Sequence, residues 1–127
     1  MENNVAMSDA LTTLYRPVGR KELELIRIRE FRSFPPRLTG QPFFYPVLTE
    51  DYAVQIARDW NTKDKASDYE GYALKFHVRT AFLSQYDVRV VGNATHRQYW
   101  IPAQDLEQLN SNIVGTIDIV QEFHRES

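Results

Sequence analysis

Four positions are best equipped for chemistry by residue type and placement: Tyr15 with Arg16, Tyr45, and Gln98 beside Trp100, each at or near the end of an apolar run. An arginine presents a planar fork of donors that clamps phosphate or ribose oxygens, and tyrosines stack on flat heterocycles. Together they have the makings of a cleft for a nucleotide ligand. A plainer account also fits: the aromatics are core side chains of strands, and Arg16, just before Pro17, lies at the surface. Other chemistries lack a signal. His77, His96 and His124 show no metal-ligand spacing and no cysteine could assist them, so no metal is expected. The chain has no G-x-S-x-G elbow, no P-loop and no G-x-G-x-x-G, which sets aside serine hydrolases, P-loop nucleotide hydrolases and Rossmann domains.

The elements that must position these residues read as follows. Thr12 to Val18 forms a short opening strand that ends before Gly19. Lys21 to Phe31 has a mixed period and is taken as helix on its Glu, Leu, Lys and Arg content. After a Pro-containing connector from Ser33 to Pro42, the aromatic run through Tyr45 is a strand closed by Pro46. Thr49 is a good N-cap, with Glu50 and Asp51 in the first turn, and Tyr52, Ala53, Ile56, Ala57 and Trp60 share the inner helical face. The charges from Lys63 to Glu70 read as a solvated loop. Tyr72, Leu74, Phe76 and Val78 then alternate as in a half-buried strand, and Tyr86, Val88 and Val90 repeat the pattern. Gly92-Asn93 turns the chain into a strand from Thr95 to Ile101, on which His96, Gln98 and Trp100 share a face. Both tryptophans, Trp60 and Trp100, fit the core better than a ligand platform. Pro102 opens a short helix through Asn110 with Leu106 and Leu109 inward, and Ile113 to Val120 is the last strand before a fraying polar tail from Gln121.

This order predicts an α+β domain with a mixed or mostly antiparallel sheet and two or three helices, too few to cover both faces of a doubly wound sheet. The expected organisation is a loose arm over 1–11, one globular domain over 12–122 and a tail over 123–127. A chain of 127 residues is the size of one domain, and its 43% hydrophobic and 13% aromatic content argue against disorder. The net charge of −2 provides no field for a polyanion, so nucleic acid is disfavoured as a partner. The longest apolar stretch, Phe43 to Leu48, is far too short to span a bilayer, and the N-terminus lacks the basic and apolar segments of a secretory signal. With no cysteine to indicate an oxidising compartment, a cytoplasmic location without membrane association is expected.

Several segments also resemble a known family. Leu14-Tyr15-Arg16-Pro17-Val18-Gly19, Phe34-Pro35-Pro36-Arg37, Gln41-Pro42 through Tyr45-Pro46-Val47, Ile56-Ala57-Arg58-Asp59-Trp60-Asn61 and Tyr99-Trp100-Ile101-Pro102-Ala103 are similar to a small bacterial family labelled "ADP-ribosylation/crystallin", over about 14–122. The layout looks like the ADP-ribosyltransferase fold rather than the all-helical, metal-dependent ADP-ribosyl hydrolases. The resemblance implies NAD as substrate, with Arg16 and Tyr15 on its phosphates and ribose, Tyr45 and Tyr52 against the nicotinamide end, and position 98 beside the reacting ribose. Relatives tend to carry Glu there, and this chain carries Gln98. Cleavage of the nicotinamide bond develops positive charge that a carboxylate stabilises and a neutral amide does not, a difference on the order of a hundred- to a thousandfold in rate. Asp105 and Glu107 are the nearest replacement acids in sequence. The resemblance thus implies an ADP-ribosyltransferase-like protein that binds NAD or a related nucleotide and passes ADP-ribose to water, a protein or a nucleic acid. The alternative is a non-catalytic pseudoenzyme or protein-interaction module of the same fold, and a magnesium-dependent ADP-ribosyl hydrolase is the third reading.

Overall fold

The computed structural model describes residues 10–92 and 96–125, so most of the expected arm, Asn93 of the turn, Thr95 and the last two residues lie outside the described part. Strand β1 (Leu11–Val18) is followed by helix α1 (Arg20–Ile28), the short strand β2 (Phe43–Phe44) and helix α2 (Glu50–Asp59). Two 3-10 turns, Asn61–Lys63 and Lys65–Ser67, lead into β3 (Glu70–Arg79) and the single-turn helix α3 (Thr80–Leu83). β4 (Val88–Val90), β5 (Arg97–Tyr99), β6 (Ile101–Pro102), α4 (Leu106–Ser111) and β7 (Ile113–His124) complete the chain.

The fold is α+β, and every pairing among the described residues is antiparallel. β3 lies between β1 and β7, while Val47 bridges Tyr15 on one side and Gln98 on the other, joining the β4–β5 hairpin to this sheet. Leu14 and Val18 of β1 and Tyr72, Leu74, Phe76 and Val78 of β3 face the main core, together with Leu23 and Ile26 of α1, Phe34, and Leu106 and Leu109 of α4. The opposite face carries α2, with Ala53 against Val47 and Ala73. Helices therefore lie on both faces of the sheet, although the sequence suggested that so few would not cover both. What excludes a doubly wound fold is the antiparallel connectivity.

Local chemistry explains the boundaries. Thr49 caps α2 by accepting from the Tyr52 amide at 3.2 Å, and β3 approaches this helix so closely that a Cβ on Gly71 would collide with the carbonyl oxygen of Ala57. The buried stripe of α2 runs Ala53, Ala57, Asn61, a strict four-residue spacing that leaves Trp60 one step off it and 59% exposed. Trp60 is thus not a core residue. α1 stops at Ile28 rather than Phe31, because Glu30 and Phe31 adopt the left-handed conformation. The polar segment after Val120 does not fray: Gln121 to His124 pair with Ala73 to Glu70, since an edge strand takes its hydrogen bonds from its neighbour whatever its side chains. The stretch from Lys63 to Glu70 is not wholly a solvated loop either, because Ser67 is buried and Glu70 already belongs to β3. β4 also departs from expectation. Its valines are exposed and Tyr86 lies before the strand. The strand expected through Ile101 breaks at Trp100 into β5 and β6.

Candidate functional site

Residues 45–47 lie between β1 and β5, and α2 crosses above them. A residue opposite its antiparallel partner points to the same face, so Tyr15, Val47 and Gln98 share the α2 side of the sheet. Tyr45 and Trp100, two residues from Val47 and Gln98, turn the same way. The result is an open pocket of about 340 Å³ whose wall includes Tyr45, Gln98, Trp100, Val47 and Pro17, with Ile56 of α2 above it. Its volume is at the small end of the range for small-molecule sites, roughly 300–1,000 Å³. Trp100 is part of this wall rather than of the core. Its ring meets Tyr45 edge-on at 5.5 Å and Phe43 at 5.6 Å, and the Arg89 guanidinium lies over it at 4.2 Å.

Arg16 also contributes to the pocket wall, but alternation along β1 sends its side chain to the face of Leu14 and Val18. It is buried, not at the surface as the plainer reading held. Its Nε and Nη2 donate to the two Glu22 carboxylate oxygens at 2.6 and 2.8 Å, and the guanidinium lies 4.4 Å from the ring centre of Phe44. This planar two-point pairing joins the end of β1 to the first turn of α1. Arg37 approaches the same carboxylate at 3.9 Å and donates to the Phe43 carbonyl. Burial first, and then repulsion from Arg16, lower the Arg37 pKa from its ordinary value.

Tyr15 is not among the residues that line the pocket. Its ring packs beside Val47, Ala53 and Ala73, and its backbone exchanges two hydrogen bonds with Val47. Tyr52 borders Gln98 instead: its hydroxyl donates to Gln98 Oε1 at 3.5 Å, the outer limit for such a bond, while its ring stacks on His96 at 4.2 Å. Burial raises the Tyr52 pKa from its ordinary value.

Of the residues singled out by sequence, Tyr45 and Gln98 thus meet across one pocket with Tyr52 at its edge, Arg16 turns its charge to the other side, and Tyr15 is packing. Asp105 and Glu107 do not line the pocket; Asp105 accepts from the Tyr86 hydroxyl at 2.8 Å. No carboxylate side chain lines it among the described residues. Sequence reasoning missed Glu22 and Arg89. Glu22 counted only toward the Glu, Leu, Lys and Arg content of the helix expected over Lys21 to Phe31, and Arg89 gains its place over Trp100 through the β4–β5 pairing, which hydropathy does not reveal. The described residues contain no group of three or more His, Asp or Glu able to hold a metal, and no helix long and apolar enough to cross a membrane. Comparison with protein-family models, with curated proteins and with solved structures found no match.

Proposed function

We propose that the chain is an ADP-ribosyltransferase-like module that binds NAD or a related ADP-ribosyl nucleotide, with the nicotinamide riboside end in the Tyr45–Gln98–Trp100 pocket. The observation that carries this reading is the convergence of Tyr45 and Gln98, distant in sequence, on one pocket walled by aromatic rings. Tyr45 offers a surface to a flat ring, and the Gln98 amide and Tyr52 hydroxyl offer hydrogen bonds to a ribose. Among the described residues the wall contains no carboxylate to stabilise an oxocarbenium-like transition state, which favours binding over cleavage.

A proton NMR time course of NAD with the purified protein tests this, because line broadening reports binding and free nicotinamide reports cleavage. The expected result is broadening that Tyr45→Ala abolishes, with cleavage absent in the native chain and detectable in Gln98→Glu. Neither broadening nor cleavage would remove the nucleotide reading. A protein-interaction module would then stand, favoured by the exposed Val88, Val90 and Val91 at the open end of the sheet.

A further inference from the structure

On the guanidinium side of Arg16 lies a second and larger cavity, of about 470 Å³, between the start of α1, the segment around Arg37 and the two turns after α2. Two features of its wall point to a ligand. The first is charge. Among the described lining residues, Arg16, Lys21 and Arg37 stand with the two acids Glu22 and Asp64, and Glu22 gives its close contacts to Arg16 while Arg37 stays 3.9 Å away. One positive charge is left in a partly dry wall, and an anion would relieve the repulsion between the two guanidiniums.

Beside these charges lies an orphaned acceptor that is itself closed to solvent. Asn61 is only 5% exposed; its Nδ2 donates to Ser67 Oγ at 3.0 Å, and that hydroxyl spends its single proton on Asp64 Oδ2 at 2.7 Å. Ser67 must therefore accept from the amide, which fixes the orientation of Asn61 and leaves its buried Oδ1 without a donor. Buried polar atoms are rarely left in that state. The second feature is Trp60, whose exposed ring stands at the rim with the exposed Leu25 and Leu38.

We propose that this cavity binds a mononucleotide, with its phosphate at Arg37 and Arg16 and its base against Trp60. A phosphate offers three acceptor oxygens to the two guanidiniums, and a base stacks on an indole whatever its identity. The inference does not rest on the NAD reading, since Tyr45, Gln98 and Trp100 take no part in it.

The test is a titration of the 15N-labelled full chain with AMP, adenosine and inorganic phosphate, followed by amide chemical shifts. Millimolar AMP is expected to shift amides in 19–25, 35–41 and 60–67 and to leave 45–47 and 97–100 in place. Adenosine and phosphate alone should each bind at least about tenfold more weakly than AMP, because each forgoes one of the two main contacts. Arg37→Gln should weaken AMP binding by about tenfold to a hundredfold, and Trp60→Ala, at an exposed position, by about tenfold. The proposal is overturned if AMP shifts none of the three segments, if phosphate alone binds as tightly as AMP, or if Trp60→Ala binds like the native chain. Shifts confined to 45–47 and 97–100 would also overturn it, while supporting a nucleotide in the other pocket. A nicotinamide mononucleotide titration that shifts neither 45–47 nor 97–100 would count against the NAD reading alone.

Discussion

Arg16→Ala would ordinarily be taken as a test of phosphate binding, yet its first effect should be on stability. The Arg16 side chain is 9% exposed and Glu22 is 23% exposed, and the pair is held by two short charge-assisted bonds. Removing one partner of a buried pair costs about 3–5 kcal/mol, chiefly by stranding the other charge. Here Glu22 keeps partial access to water and a distant Arg37, which lowers the figure to about 2–3 kcal/mol by the same reasoning. Loss of the guanidinium over Phe44 adds about 0.5–1 kcal/mol. A total near 3 kcal/mol corresponds to a fall in Tm of about 10–15 °C for a domain of this size. Urea unfolding followed by circular dichroism should report this loss. In a double-mutant cycle with Glu22→Gln, the coupling energy should be about 1.5–3 kcal/mol. A cost below about 1 kcal/mol together with coupling below about 0.5 kcal/mol would mean the pair behaves as an exposed one, and the structural assignment of Arg16 would fail. If the prediction holds, loss of ligand binding in Arg16→Ala says nothing about a phosphate contact until folding has been checked.

Gly71→Ala should destabilise the chain by at least about 2 kcal/mol in the same urea assay, because the added Cβ meets the Ala57 backbone rather than a movable side chain. Wild-type stability in this variant would show that α2 can lift from β3 without cost. At high pH, the Tyr72 and Tyr86 phenols are pushed up to about 12 by burial and by their bonds to Glu70 and Asp105. Both folded pKa values lie above the unfolded value of about 10, so the folded state holds these protons more tightly. Stability should be complete below pH 10 and fall progressively toward pH 12, and Tyr86→Phe should flatten part of that slope. An unfolding free energy that is level across this range would refute the assignment.

Much of the architecture is legible in the residues alone. The alternation of Tyr72, Leu74, Phe76 and Val78 identifies the central strand, Thr49 with its following acids identifies α2, and Leu106 with Leu109 identifies α4. These signals are local: they depend on which side of one element is apolar and on who caps its end. The meeting of Tyr45 with Gln98 is also anticipated, although Arg16 shows how far such a reading extends. Its position at the end of β1 is evident from sequence, whereas the face it occupies depends on the pairing of β1 with β3 and of Tyr15 with Val47. A shift of one residue would exchange Tyr15 and Arg16 between the two sides of the sheet. Trp60 and Asn61 make the same point at the end of α2, where one helical step decides which side chain is buried. The sequence by itself determined the elements and their apolar faces, because hydrophobic periodicity and capping act within a few residues. The tertiary structure alone decided that the Arg16 charge meets Glu22, that Asn61 keeps an unpaired acceptor, and that two cavities lie on opposite sides of one arginine. Those outcomes depend on register and on contacts between elements far apart in the chain, which no local pattern encodes.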